Sequence, residues 1–296
     1  MFIESFIVKQ VLPQYANTHT TTSATGLQTS FFRSEAKDIV RNAVRALDSD
    51  AVIFVGSGST GAVSKLLHSL SLQNKPVVIV GPYEHHSNLL PWRHYSERWY
   101  RVAMSSDGSV SLADLEELLC KETPICKMEN RKILVCMNAA SNVTGILTDV
   151  DAVCSLVHAY DAYIFFDYAT AAPYVKIDMN PVWCERPANI AYPSKKLYKD
   201  AIFFSGHKFI GGPQSSGVLI VKKNLLKHSQ DCPEMPGGGT VFLVSRSEQF
   251  YLSDVESREE AGTPAIIEDI RTGLTMKLKQ TVGVDNILNK ECNFLG

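Results

Sequence analysis

Short apolar runs alternate with longer amphipathic segments along most of the chain. Seven runs are rich in β-branched and aromatic residues and show little polar alternation, which is typical of strands buried on both faces of a sheet. These predicted strands are residues 51–55, 76–80, 98–104, 132–137, 163–167, 201–205 and 217–223. Apolar residues also recur at helical spacing, behind Ser, Thr or Asp caps. These predicted helices are residues 34–47, 60–70, 111–121 and 148–160.

Because strands and helices alternate, the pattern predicts an α/β fold with a mostly parallel sheet and helices on both faces. The polar, Ser/Thr-rich segment 17–30 is expected to be a loop or arm. The alternation stops after about residue 223, where the glycines of 236–239 predict a tight turn and residues 264–280 predict one more helix. The last sixteen residues show no recognisable closing domain.

Composition narrows the possible partners. The chain has 296 residues, with 29 basic and 31 acidic side chains, so no general attraction to nucleic acid or to an anionic membrane is expected. No apolar run approaches the roughly 20 residues that cross a bilayer. Seven cysteines without CxxC spacing argue against a disulfide framework or a zinc site. Cysteines that form no disulfide framework indicate a protein of a reducing compartment. The N-terminus resembles no targeting signal, so we expect a cytoplasmic protein.

A glycine-rich turn, GSGSTGAV, follows the first predicted strand at residues 56–63. Glycines there would let the backbone approach a phosphate, and the helix N-terminus would attract it. Ser59 and Thr60 add hydroxyl groups. The same pattern occurs in dinucleotide sites, so a Rossmann fold and a turn without any ligand are both alternatives at this point.

The second predicted strand is followed by GPYEHHSNLLPW. A Rossmann enzyme would use Glu84 here to bind a ribose hydroxyl. His85 and His86 are adjacent, so they are poorly placed to bind one metal ion, and no other His or Cys has suitable spacing. We therefore predict no metal site, and we keep His85 as a candidate because of the residues that follow.

Two charged residues stand where later strands end. Asp167 closes an apolar run, where an unpaired carboxylate is costly, so it should have a cationic partner; the alternative is a helix N-cap. Lys208 follows residues 201–205, where desolvation would lower its pKa and favour Schiff-base chemistry; the alternative is a surface lysine. A phosphate turn, a buried carboxylate and a lysine at one sheet edge are the contacts that pyridoxal phosphate needs, whereas a nicotinamide dinucleotide needs only the first.

Seven motifs, taken in order, resemble the class V aminotransferase family, most closely its cysteine desulfurase and selenocysteine lyase branch. They span about residues 15–275, and their shared order is more specific than any one of them. They are GSGSTGA, YEHHSNLLPW, NAASNVTG, FFDYATAAP, SGHKFIGGPQSSGVL, PGGG and EEAGTPA. The resemblance implies a fold-type-I domain that binds pyridoxal phosphate and acts on an amino acid.

Carried over to this sequence, the resemblance implies that Lys208 binds the cofactor as a Schiff base and carries protons at Cα of the substrate. Asp167 would pair with the ring nitrogen, and His85 would stack on the ring. Asn142 would lie near the ring substituents and the substrate carboxylate. The implied phosphate shell consists of Ser59, Thr60, Ser205 and His207. Thr240 would contact the phosphate of a partner subunit, so a homodimer is expected.

The chain departs from the family pattern in two places. The family usually has D-x-A-Q after the aspartate strand, whereas this chain has D-Y-A-T, which puts the shorter Thr170 where a glutamine bonds the cofactor. The catalytic cysteine and carboxylate-binding arginine of desulfurases belong to a C-terminal domain for which no motif is present, and Cys292 matches neither. We therefore expect a truncated product.

The expected domains are an N-terminal arm (1–33), a pyridoxal-phosphate-binding large domain (34–262) and the start of a truncated C-terminal region (263–296). The favoured activity is cysteine or selenocysteine cleavage, with transamination also possible. A catalytically silent cofactor-binding chain that dimerises is the alternative, and a Rossmann dehydrogenase is a weaker one.

Overall fold

The computed structural model describes residues 2–18, 22–183, 193–227 and 232–295. Seven of its strands form one sheet, and all seven strands predicted from the sequence are confirmed. These are β1 (Asp50–Val55), β2 (Val77–Val80), β3 (Arg98–Arg101), β4 (Ile133–Asn138), β5 (Tyr163–Asp167), β6 (Ala201–Ser205) and β7 (Gly217–Lys222).

The sheet has the strand order β1-β7-β6-β5-β4-β2-β3. Strands β2 to β6 pair in parallel, and β7 lies antiparallel between β6 and β1. The predicted mostly parallel seven-stranded sheet is therefore confirmed. A separate antiparallel hairpin consists of β8 (Val241–Val244) and β9 (Gln249–Tyr251).

Nine α-helices accompany the strands in the described residues. They are α1 (Phe2–Phe6), α2 (Ala24–Ala43), α3 (Gly58–Ser69), α4 (Leu90–Tyr95), α5 (Leu112–Glu129), α6 (Val150–Ala159), α7 (Val255–Glu259), α8 (Ile266–Val282) and α9 (Val284–Leu295). A π-helical turn at Ile7–Val11 and a 3-10 turn at Leu12–Gln14 follow α1. None of the described helices is both long and apolar enough to span a bilayer.

The sheet is covered on both faces, and neighbouring residues of a strand point to opposite cores. Val52 and Phe166 belong to the core beneath α2, α5 and α6, whereas Ile53 and Phe165 belong to the core beneath α3 and α4. In the second core the ring of Trp92 lies 5.8 Å from that of Phe165. Burial on both faces explains why these strands show almost no polar alternation.

One sequence prediction about the N-terminal part of the chain is wrong. The expected loop or arm at 17–30 gives way at Ala24 to α2, because Ser23 caps this helix by accepting a hydrogen bond from the Gly26 N–H at 3.1 Å. The last sixteen residues, in which the sequence shows no closing domain, contain α9. Helix α2 crosses position 33, and the predicted domain boundaries stay a prediction.

The topology places five strand ends at one edge of the sheet. Strands β1, β2, β4, β5 and β6 all run toward this edge, because the β7 strand that separates β1 from the others is antiparallel to both neighbours. The glycine turn, the His85 loop, Asn138, Asp167 and the Lys208 turn follow those ends. In an open parallel sheet, this edge is where ligands bind.

Candidate functional site

A cavity of about 230 Å³ lies at this edge. Nine of the ten residues predicted to form the site line it, although they come from five separate strand ends. They are Ser59, Thr60, His85, Asn142, Asp167, Thr170, Ser205, His207 and Lys208. Their proximity shows that the sheet topology, and not closeness along the chain, brings the motifs together.

The glycine turn between β1 and α3 forms one end of the cavity. Ser57 and Gly58 both have left-handed backbones, with φ of 54° and 59°. Helix α3 begins there, and the Ser59 N–H donates to Ser205 Oγ at 2.9 Å, while the two hydroxyl oxygens lie 3.0 Å apart. The turn is thereby fastened to the end of β6. Backbone N–H groups and hydroxyls at a helix N-terminus form a suitable site for a phosphate.

Replacing Gly58 with Ala should damage this end of the cavity. A Cβ there would lie 2.6 Å from Ser205 Oγ and 2.9 Å from His207 Cε1. A left-handed backbone alone costs a residue with a side chain roughly 1–2 kcal/mol. We expect a lower thermal midpoint and weaker phosphate-ester binding, measured by calorimetry. Gly238→Ala is a suitable control, because a Cβ there would meet nothing within 4 Å. Equal effects of both variants would contradict the proposed close packing.

Asp167 ends β5 with its carboxyl group buried beside the cavity. Its Oδ1 accepts the Ala169 N–H at 2.8 Å, and its Oδ2 has no hydrogen-bond partner among the described residues. Burial raises the pKa of this carboxyl to about 6, while the Ala169 N–H and the Lys208 charge act in the opposite direction. No helix follows β5 directly, so the N-cap alternative is wrong; the bond to Ala169 forms a local turn instead.

Lys208 lies in a short 3-10 turn, Gly206–Lys208, directly after β6. The turn presses against the start of β7, because a Cβ on Gly206 would lie 2.6 Å from both Ser215 Oγ and Ser216 O. The Lys208 side chain lines the cavity but is exposed in this single chain. The expected desolvation of Lys208 is therefore wrong for the chain on its own, since the turn places the amine at the cavity mouth.

The His85 loop forms another wall. His85 Nδ1 accepts the Ser87 N–H at 3.2 Å and lies 3.1 Å from Ser87 Oγ. Ser87 Oγ lies 2.7 Å from Thr60 Oγ1, so these hydroxyls connect the histidine to the glycine turn. Sequence reasoning missed Ser87, whose signal was its place two residues after His85. The described residues contain no group of three or more His, Cys, Asp or Glu suited to a metal ion.

Glu84 does not line the cavity, so its suggested ribose role is wrong. Its carboxyl group accepts hydrogen bonds from the Asn138 N–H at 2.7 Å and from Asn88 Nδ2. Burial raises the pKa of Glu84 to about 8, opposed by these two donors. The carboxyl group thus joins the His85 loop to the end of β4. Asn138 also lines the cavity, and its position at a strand end was the signal that could have identified it.

Thr240 lies outside the cavity in this chain. Its buried hydroxyl donates to Gly237 O at 2.6 Å and accepts the Gly237 N–H at 3.2 Å, so it closes the glycine turn. Its role in a partner subunit stays a prediction. Asn142 is an exposed residue at the cavity mouth, and Thr170 is half-buried at its wall.

Comparison with known proteins agrees with this geometry. The family model for class V aminotransferases matches residues 6–294. A probable cysteine desulfurase of Borreliella burgdorferi is 26% identical over 289 residues, covering 93% of this chain and 61% of the relative. One of Halalkalibacterium halodurans is 27% identical over 263 residues, covering 86% of this chain and 58% of the relative. The chain thus spans about three fifths of the length of these curated relatives.

Solved structures show the same fold. A cysteine desulfurase from Thermococcus onnurineus superposes with a TM-score of 0.76 at 22% identity, covering 96% of this chain and 64% of that one. The cysteine desulfurase CsdA from Escherichia coli gives a TM-score of 0.71 at 21% identity, covering 96% and 65%. Since the family model covers nearly all of the sequence and its motifs meet in one cavity, the chain belongs to the class V aminotransferase family.

Proposed function

We propose that this chain binds pyridoxal phosphate at Lys208 and that its protein is an enzyme of the cysteine desulfurase type. Members of the class V aminotransferase family depend on pyridoxal phosphate and act on amino acids. The observation that carries the proposal is the single cavity that joins Lys208, the buried Asp167 and the Ser59–Ser205 turn. The named desulfurase relatives favour cysteine as the substrate.

The residues present fit this cofactor. The turn at Gly58 has no space for a Cβ, as expected where a backbone receives a phosphate. Ser59, Thr60, Ser205 and His207 would hold that phosphate. The free Oδ2 of Asp167 is available to a protonated ring nitrogen, and His85 lies where it could cover the ring. Thr170 is the nearest substitute for the glutamine that the family usually has, with a shorter reach.

When bound, the cofactor supplies an electron sink for the bond that is broken at Cα. Asp167 as a carboxylate holds a proton on the ring nitrogen, and its burial makes this attraction stronger than it would be in water. Lys208 supplies the amine and afterwards moves a proton at Cα of the substrate. Asn142, an exposed residue of the cavity, would orient the amino acid, and His85 would cover the ring.

We also propose that the protein works as a homodimer in a reducing compartment such as the cytoplasm. Thr240 follows the glycine turn and leads into the β8–β9 hairpin, whose Phe242 and Val244 are exposed by 80% and 62%. Burying these apolar side chains against a second copy would be favourable. The six cysteines in the described residues are all free thiols, which is consistent with such a compartment.

The direct test adds L-cysteine, pyridoxal phosphate and dithiothreitol, which supplies the two electrons that reduce the released sulfur to sulfide, to the purified chain and measures alanine and sulfide. We expect both products in equal amounts above the rate of the cofactor alone, and none above that rate from Lys208→Ala. Bound cofactor without either product would support the alternative, a catalytically silent cofactor-binding chain. Absence of both cofactor binding and product would contradict the proposed function.

A further inference from the structure

A second and larger cavity, of about 450 Å³, lies at the opposite edge of the sheet. Its floor includes Ile133 and Tyr163, the first residues of β4 and β5, whereas Asn138 and Asp167 at the other ends of these strands belong to the proposed active site. Strands of five or six residues separate the two edges by roughly 15–20 Å, at about 3.3 Å per residue. The second cavity is therefore distinct from the proposed cofactor site.

The lining of this cavity is basic. Lys127, Lys132 and Lys196 are exposed, and none of them has a carboxylate partner within the described part of the chain. Arg131 is already paired, with Glu129 at 3.0 Å and Glu97 at 3.5 Å, so it adds little net charge. Asp161 is the acidic residue of the lining. Among the described lining residues, three ammonium groups without a carboxylate partner stand against one carboxylate, which makes this part of the cavity positive in a chain whose net charge is −2.

Aromatic rings form the rest of the wall. Tyr160, Tyr163 and Tyr198 line the cavity, and the Lys132 ammonium lies over the Tyr163 ring, 5.7 Å from its centroid. The Tyr198 ring packs 4.3 Å from the ring of His158, with their planes 36° apart. The Tyr198 ring is also contacted by the Lys222 ammonium, 5.2 Å from its centroid, so Tyr160 and Tyr163 provide the faces on which a planar ring could stack.

The wall behind Tyr198 is held by buried hydrogen bonds. The two ring nitrogens of His158 lie 3.0 Å from Asp200 Oδ2 and 3.0 Å from Lys196 O. Asp200 Oδ2 also accepts the Ile164 N–H at 2.9 Å. The Asp200 carboxylate is thus hydrogen-bonded to the backbone of β5 and to the His158 ring. Because the Lys196 carbonyl is held by the His158 ring, the backbone that carries the Lys196 side chain is fixed beside the cavity.

We propose that this cavity binds a nucleoside phosphate, with the base against the tyrosine rings and the phosphate among the three lysines. Ammonium groups bind phosphate as point charges, and the aromatic wall adds an attraction that a free phosphate would not receive. A cation is excluded by the lysines, and a long nucleic acid is disfavoured by the negative net charge of the chain. The binding is non-covalent, and no reaction is assigned to the site.

Isothermal titration of the cofactor-loaded chain with AMP, ATP and inorganic phosphate tests the proposal. We expect saturable one-to-one binding of AMP and ATP, at least tenfold tighter than that of inorganic phosphate. The double variant Lys132→Glu and Lys196→Glu should weaken nucleotide binding at least tenfold without changing the thermal midpoint of the ligand-free chain. Lys277→Glu, at an exposed position on α8, is the matched charge-reversal control and should leave the affinity unchanged.

Three results would overturn the proposal. These are no saturable nucleotide binding at millimolar concentration, equal affinity for inorganic phosphate, and equal losses from the double variant and from Lys277→Glu. Lys208→Ala separates the two cavities, since it should leave nucleotide affinity unchanged. A loss of nucleotide affinity in that variant would instead assign the nucleotide to the proposed cofactor site.

Discussion

Replacing Lys208 with Ala is expected to abolish the borohydride-stable attachment of pyridoxal phosphate to the chain. Among the described residues that line the cavity, Lys208 carries the one primary amine. A Schiff base requires an amine, and no neighbouring hydroxyl or imidazole replaces it. Wild-type protein loaded with cofactor and reduced should show the added mass on the peptide containing Lys208, and the variant should show none. Mass spectrometry of the digested protein measures this loss directly.

Lys279 is the lysine that makes this test informative. It lines an apolar cavity that also includes Lys208, and burial lowers the pKa of its ammonium to about 8. Its Nζ, however, donates to Ala172 O at 2.6 Å and to Val175 O at 2.5 Å, so it is already held by two carbonyls. Lys279→Met should therefore retain the label on Lys208. A label on Lys279 in the wild-type chain would refute the assignment.

Changing Asp167 to Asn should weaken cofactor binding strongly while preserving the local turn. The amide oxygen can still accept the Ala169 N–H, which is 2.8 Å from Oδ1 in the native chain. The charge opposite the ring nitrogen is lost, and removing one partner of a buried charge pair costs about 2–4 kcal/mol, on the order of 30- to 1,000-fold in affinity. Equilibrium dialysis of pyridoxal phosphate with both proteins measures the difference.

The same pair of proteins should differ in pH dependence. Burial raises the pKa of Asp167 to about 6, so a growing fraction of the free chain carries a neutral carboxyl group as the pH falls below this value. A cationic ring favours the carboxylate, so wild-type affinity should fall by up to about tenfold per pH unit below 6. Asp167→Asn should lack this component, and the difference between the two profiles isolates it from titration of the ligand.

Asp167 should act on the stability of the ligand-free fold in a related way. The unfolded chain releases this proton near pH 3.8 and the folded chain near 6, so its burial costs stability as the pH rises through that window.

The exposed Asp48 provides the control for the affinity measurements, since Asp48→Asn should change neither the affinity for pyridoxal phosphate nor its pH profile. Equal affinity of the wild type and Asp167→Asn across the range would show that this carboxylate does not face the cofactor.

Much of the fold was predictable because the local pattern and the long-range structure agree. The runs that form β4, β5 and β6 are apolar on both faces, so burial between two helical layers was their expected environment. Once the sheet is parallel, the residues after each strand must meet at one edge. This geometric rule placed Asp167 and Lys208 together although 40 residues separate them in the chain.

The remaining differences depend on contacts that no local pattern contains. From the sequence alone, Glu84 could bind a ribose hydroxyl. In the fold, its carboxyl group instead accepts a hydrogen bond from the Asn138 N–H, 54 residues away. Helix α2 begins in a Ser/Thr-rich segment because Ser23 caps it and α8 packs along it. The exposure of Lys208 likewise depends on the path of the turn after β6, which leaves this side chain at the surface of the chain.

The position of β1 in the sheet sets an order of assembly. This strand pairs with β7, which follows about 160 residues later, and it has no other neighbour in the seven-stranded sheet. At the usual rate of about 5–20 residues per second, a ribosome needs on the order of 10 to 30 s to make that intervening stretch. During this interval β1 has no partner strand. For most of it, the glycine turn that follows β1 also lacks Ser205, the residue at the end of β6 to which Ser59 is hydrogen-bonded. The phosphate end of the cavity is therefore completed late in synthesis, after both β6 and β7 have been made.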